Sequence, residues 1–130
     1  MPHITIDYTA NLADEVAASQ LVETLHQAAI GTGIFPLWGI RTLAQPVRDY
    51  RVAGGQADNG FIKVVVRIAP GRDLATRKRV TQTLFDAAVA RLAPLYERRP
   101  LGFQLELTEF DAELCLQKIH LDPPKEVPAP

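Results

Sequence analysis

An α+β fold built from two consecutive βαβ units is predicted by three observations. Segments beginning at His3, Phe61 and Leu101 are apolar at every second residue, the period of a half-buried strand. Helix-spaced apolar stripes follow the first and second of these segments. Pro36-Leu37 opens a strand in the first half, and Pro100-Leu101 opens its counterpart in the second. The expected order is strand, helix, strand, loop, strand, helix, strand. Residues 1–121 form one domain in this reading, and 122–130 form a proline-rich tail expected to fray.

The first strand runs from His3 to Tyr8, with Ile4, Ile6 and Tyr8 on one face and His3, Thr5 and Asp7 on the other. Asn11 is the expected N-cap of the first helix, with Asp14 and Glu15 in its first turn, where the helix dipole favours acids. Ala17, Leu21, Leu25 and Ala28 give its apolar stripe, and Gly31 and Gly33 end it. Phe35 to Leu43 reads as an opening turn and second strand, and Gly54 to Gly60 as a loop. Phe61 to Ile68 is the third strand, with Ile62, Val64, Val66 and Ile68 opposed to Lys63 and Arg67. Pro70-Gly71-Arg72 makes a turn, Asp73 caps the second helix, and Val80, Leu84, Ala87, Ala88, Leu92 and Leu95 form its stripe. In the last strand Leu101, Phe103, Leu105 and Leu107 alternate with Gly102, Gln104, Glu106 and Thr108. Alternation from Leu114 to Leu121 marks a further short strand, suited to pairing with the edge of a neighbouring subunit. A βαβ crossover makes its strands parallel with the helix on one sheet face. With both helices on one face, the other is bare, and the expectation is that neighbouring subunits cover it.

Bulk properties narrow the function classes. The 130 residues are 47% hydrophobic with a formal net charge of −1, which fits one folded domain without a nucleic-acid or membrane surface. Cys115 is the single cysteine, so neither an intrachain disulfide nor a cysteine-rich zinc site is available. No secretory signal is read at the N-terminus, and a cytoplasmic location is expected. His3, His26 and His120 are scattered rather than spaced as ligands, and there is no GxGxxG, P-loop or GxSxG pattern. No metal and no cofactor are expected.

Three residues are candidates for chemistry. Pro2 follows Met1, and removal of Met1 exposes a secondary amine at the head of a strand. An α-amino group titrates at roughly 7.7–8.0. Burial and nearby cations disfavour its charged form, which gives a neutral base close to working pH. Arg41 stands in an otherwise apolar strand pattern, where a charge is costly without a partner. Arg72 sits in the turn between the third strand and second helix. Arginine suits bidentate carboxylate recognition. Taken singly, each has an ordinary reading: a small residue after Met1, a structural ion pair and a solvated turn residue.

The opening Met-Pro-His-Ile-Thr-Ile resembles the tautomerase superfamily, whose mature chains begin with a catalytic proline. Thr32-Gly33-Ile34-Phe35-Pro36-Leu37-Trp38-Gly39-Ile40-Arg41, Asp58-Asn59-Gly60-Phe61 and Gly71-Arg72-Asp73-Leu74 resemble the 5-carboxymethyl-2-hydroxymuconate isomerases within it. The similarity runs collinearly from Pro2 to about Thr108. It implies a tautomerase/MIF-like fold, with a four-stranded mixed sheet, two helices on one face, and three subunits around a central barrel. It also implies that Pro2 is the base and acid, and that Arg41 and Arg72 bind the carboxylates of a small di- or tricarboxylate. Phe35 and Trp38 are possible lining residues. The alternatives are another superfamily chemistry (hydration, dehalogenation or decarboxylation, with Asp7 or Glu106 activating water) and a non-catalytic binding protein of the same fold.

Overall fold

The computed structural model describes residues 2–121. Strand β1 spans His3–Thr9 and is followed by a 3-10 turn at Ala10–Leu12 and helices α1 (Ala13–Ser19) and α2 (Leu21–Gly31). A second 3-10 turn, Leu37–Gly39, leads into β2 (Arg41–Val47). Then come β3 (Gly60–Ile68), α3 (Leu74–Arg98) and β4 (Leu101–Glu109). The four strands form one sheet in the order β2-β1-β3-β4. The outer pairs are parallel, as βαβ crossovers require, and the central pair β1–β3 is antiparallel.

Alternation decides which face is the core. Ile4, Ile6, Ile62, Val64, Val66 and Ile68 are all fully buried. They meet Leu21 and Leu25 of α2 and Val80, Leu84, Ala88 and Leu92 of α3 in a single apolar cluster. The helices therefore share one side. The other face carries four rows of side chains across β2, β1, β3 and β4, the last of them Arg41, His3, Arg67 and Thr108.

The first helix departs from its expected form. It is broken at Gln20, whose φ of 54° is left-handed. The break resets the helical phase, so Val16 and Ala29 are buried while Ala17 is exposed and Ala28 only half-buried. Asn11 caps neither helix. Its Nδ2 donates to the carbonyls of Ala57 (3.3 Å) and Asn59 (2.9 Å), fastening the β2–β3 loop, while its Oδ1 accepts from Thr9 Oγ1. Of the two terminating glycines only Gly33 has positive φ, at 74°. Asp73 does cap α3, accepting from the Thr76 amide at 2.8 Å. Pro46 falls within β2 without cost to the ladder because β2 is an edge strand.

The strand expected over 114–121 does not form within the protomer. Leu114 and Leu116 are 82% and 93% exposed. The segment's backbone makes a local turn, Leu114 N donating to Asp111 O at 3.0 Å, instead of reaching a ladder partner. The tail expected over 122–130 lies outside the described residues.

Candidate active site

One end of the sheet gathers the residues singled out by sequence. Pro2 lies just ahead of β1 and is buried. Its carbonyl accepts from the amide of Arg41 at 3.2 Å, so the heads of β1 and β2 are tied together. Because β3 runs antiparallel to β1, pairing His3 with Arg67, the chain leaves β3 at this same end. The turn after Ile68 then delivers Arg72. Gly71 has φ of 121°, a conformation that L side chains rarely adopt, and it sets the course of that turn.

Arg72 is held from two sides. Its Nη2 donates to Ile34 O at 3.1 Å, and its guanidinium carbon lies 5.0 Å from the centroid of the Phe35 ring. Phe35 is only 8% exposed, so this face of the guanidinium is desolvated against a fixed ring. Arg77 Nε donates to the Arg72 carbonyl at 3.2 Å and steadies the turn from α3. Arg72 remains half-buried and makes no ion pair among the described residues. An arginine positioned by a carbonyl and a ring, with its charge uncompensated, is equipped to receive a carboxylate.

Arg41 has a different orientation. Thr42 Oγ1 meets His26 Nδ1 of α2 at 2.9 Å, so Thr42 faces the helices and Arg41 projects from the open face. There it stands opposite His3, with Arg67 on the other side. Burial first, then the Arg41 and Arg67 guanidiniums, hold the His3 imidazole below its ordinary value of 6.5. No ion pair neutralises Arg41 among the described residues. Pro2 and Arg41 are thus joined through their backbones at the head of the sheet.

The candidate carboxylates of the alternative chemistry sit elsewhere. Asp7 accepts from Gln45 at 2.9 Å, two rows from His3, and Glu106 accepts from Gln104 at 3.2 Å. Neither shares the row at the Pro2 end. Among the described residues no group of three or more His, Cys, Asp or Glu side chains is placed to hold a metal ion. No helix among them is long and apolar enough to cross a membrane. Two clefts of the protomer, of about 540 Å³ beside Val16 and Ala44 and about 410 Å³ beside Leu74 and Leu107, contain none of Pro2, Arg41 and Arg72.

A family model described as 5-carboxymethyl-2-hydroxymuconate isomerase matches residues 2–122, from Pro2 through the whole sheet. The chain belongs to this isomerase family. The Escherichia coli 5-carboxymethyl-2-hydroxymuconate Delta-isomerase is 31% identical over 114 residues, covering 88% of this chain and 90% of the relative. The crystal structure of a 5-carboxymethyl-2-hydroxymuconate isomerase from Deinococcus radiodurans R1 superposes with a TM-score of 0.84 at 27% identity, over 92% of this chain and 90% of that one. A second structure, of a 5-carboxymethyl-2-hydroxymuconate delta-isomerase, gives 0.81 at 31% identity, over 91% and 87%. More distant structures share the fold alone. A fused 4-OT symmetric trimer is 17% identical with a TM-score of 0.66, over 88% and 93% of the chains. A macrophage migration inhibitory factor-like protein from Entamoeba histolytica is 16% identical with 0.56, over 90% and 95%. The tautomerase/MIF-like fold implied by the resemblance is therefore the fold of this isomerase.

Sequence reasoning singled out Pro2, Arg41 and Arg72 but not Arg67 or its neighbour His3. Arg67 reads as an ordinary outward-facing residue of an alternating strand. Only the strand register, which no local pattern encodes, places it beside His3 and in line with Arg41.

Proposed function

We propose that this isomerase converts 5-carboxymethyl-2-hydroxymuconate to its conjugated 2-oxo isomer, in the breakdown of homoprotocatechuate, with Pro2 as base and acid. The observation that carries the reading is the family match beginning at Pro2, joined to the convergence of Pro2, Arg41 and Arg72 on one sheet end. The neutral amine of Pro2 takes the proton of the 2-hydroxyl, and the O–H electron pair becomes the carbonyl π bond. The double bonds shift along the chain, and the prolinium returns the same proton to a carbon further along. The step is balanced without an oxidant, a reductant or a cofactor. Arg72 and Arg41 bind carboxylates and stabilise the negative charge that develops on oxygen, a preorganised role that needs no motion at the moment of reaction. The amine exists only once Met1 is removed, since a retained Met1 makes the Pro2 nitrogen an amide.

The working assembly in this proposal is a cytoplasmic homotrimer whose open sheet faces turn inward. Leu43, on the open face, is 58% exposed in the lone protomer, which favours a covering partner. Arg41 projects from the open face that the trimer would cover, so in this proposal it stands near the boundary with an adjoining subunit. The exposed Leu114 and Leu116 suit pairing with a neighbour's edge strand.

The test is the ultraviolet absorbance change on mixing the mass-verified, Met1-trimmed protein with 5-carboxymethyl-2-hydroxymuconate, beside Pro2→Ala and Arg41→Ala. Rapid conversion by the parent protein, lost in both variants, is the expected result. Absence of conversion by the trimmed parent overturns the substrate assignment. Activity of the trimmed protein on 3-haloacrylates or malonate semialdehyde instead would point to the alternative chemistries.

A further inference from the structure

The last row of the open sheet face is unusual in its charge. Arg41 and Arg67 stand on the two strands flanking His3, and Thr108 stands beyond Arg67 on β4. Neighbouring strands lie roughly 4.8 Å apart, so the two arginine backbones are separated by about twice that, a gap within the combined reach of two arginine side chains. Elsewhere on this face charges are balanced or hydrogen-bonded: Asp7 stands opposite Lys63, and Glu106 is bonded to Gln104. In the last row neither arginine forms an ion pair among the described residues. Two polar atoms on either side of Arg67, His3 Nε2 and Thr108 Oγ1, are buried and have no hydrogen-bond partner among those residues. Buried polar atoms without partners are rare in folded proteins, and a pair of them bracketing an uncompensated guanidinium calls for an acceptor.

We propose that Arg67, with His3 and Thr108, extends Arg41 into a four-residue anion-recognition row that takes one carboxylate of a small polycarboxylate substrate. The carboxylate accepts from both guanidiniums, behind which His3 and Thr108 lie buried on either side of Arg67. His3 acts as a positioning residue between the two arginines, its imidazole held below its ordinary pKa by burial and by both guanidiniums. The row ends the sheet at the end where Pro2 begins it, so packing of the open faces against one another leaves it at the mouth of the assembly rather than in its middle. Arg67 is on this account a specificity-determining residue that acts on binding, not on proton transfer. The identity of the ligand as a substrate rests on the isomerase reading above; the anion site itself does not.

The experiment measures binding of tricarballylate, a saturated tricarboxylate, by isothermal titration to the trimmed protein and to Arg67→Gln, Arg67→Lys and Thr108→Val, with isomerase kinetics in parallel. Arg67→Gln is expected to weaken tricarballylate binding about tenfold or more and to raise KM similarly while kcat stays within about twofold. Arg67→Lys is expected to recover part of the affinity, because it restores charge but not the fork. Thr108→Val, which keeps shape and removes the hydroxyl, is expected to weaken binding a few-fold. Sedimentation and melting confirm that each variant keeps the parent's assembly. Equal tricarballylate affinity in the parent and Arg67→Gln overturns the proposal, as does a loss confined to kcat. A parent that binds tricarballylate through Arg67 yet fails to isomerise 5-carboxymethyl-2-hydroxymuconate leaves the site standing and removes the substrate assignment.

Discussion

The Arg72 guanidinium lies across the Phe35 ring, 5.0 Å from its centroid, while Nη2 donates to the neighbouring Ile34 carbonyl at 3.1 Å. The contact joins the turn after β3 to the segment before β2, two stretches that meet only through the antiparallel centre of the sheet. It fixes the arginine before any ligand arrives, which lowers the entropy that binding must give up.

Removing this arginine is expected to act on substrate recognition. A hydrogen bond to a charged group contributes about 1.5–3 kcal/mol, so Arg72→Ala should lower kcat/KM roughly 10- to 160-fold. Arg72→Lys should restore little of that loss, since an ammonium cannot keep the carbonyl bond and the ring stack together. Phe35→Leu keeps an apolar side chain but removes the π face, and should destabilise the fold by about 1 kcal/mol. Steady-state kinetics and thermal melting separate the two effects.

Retention of Met1 should silence the protein without unfolding it. General acid–base catalysis contributes roughly 10²–10⁴-fold, and a chain blocked at Pro2 by Met1 should lose activity by that order at an unchanged melting temperature. Mass spectrometry of the two forms, with rates measured on each, checks this. Equal activity of the blocked and trimmed chains would remove Pro2 from the mechanism.

His3 gives the fold a dependence on mild acid. Its folded pKa lies below 6.5 through burial and the facing Arg41 and Arg67. Between that depressed value and about 6.5 the unfolded chain binds more protons than the folded one, so stability falls as pH is lowered through this window. His3→Gln should flatten the decline. Melting temperatures of both proteins between about pH 7 and pH 5 measure it, and parallel curves would count against the assignment.

Arg99 supplies a contrast at the other end of the sheet. Its Nη1 pairs with Glu15 Oε2 at 2.7 Å and its Nη2 donates to Asp58 O at 2.8 Å, tying α1 to the loop before β3. Arg99→Ala should reduce stability by about 1–3 kcal/mol. Its kcat and KM at a temperature where it stays folded should match the parent. Denaturant unfolding alongside kinetics distinguishes this structural arginine from Arg41 and Arg72.

Much of this protein was legible in the order of its residues. Period-two alternation in His3–Tyr8, Phe61–Ile68 and Leu101–Thr108 determined three strands and their buried faces, because side chains of a strand alternate strictly between two environments. Asp73 ahead of a long apolar stripe determined the start of α3. The opening Pro2 and the arginines at 41 and 72 marked the candidate site, whose three members the fold brings to one end of the sheet. Tertiary structure alone decided the rest. Gln20 adopts a left-handed backbone that no glycine announces, and Asn11 spends its side chain on a distant loop rather than on a cap. Arg67 meets His3 only through strand register, and Arg41 comes beside Pro2 only once β1 and β2 pair. Local patterns report the environment of each residue, apolar or wet. Which distant residue shares that environment is settled by how the whole sheet packs, and that information is not held in any one stretch of the chain.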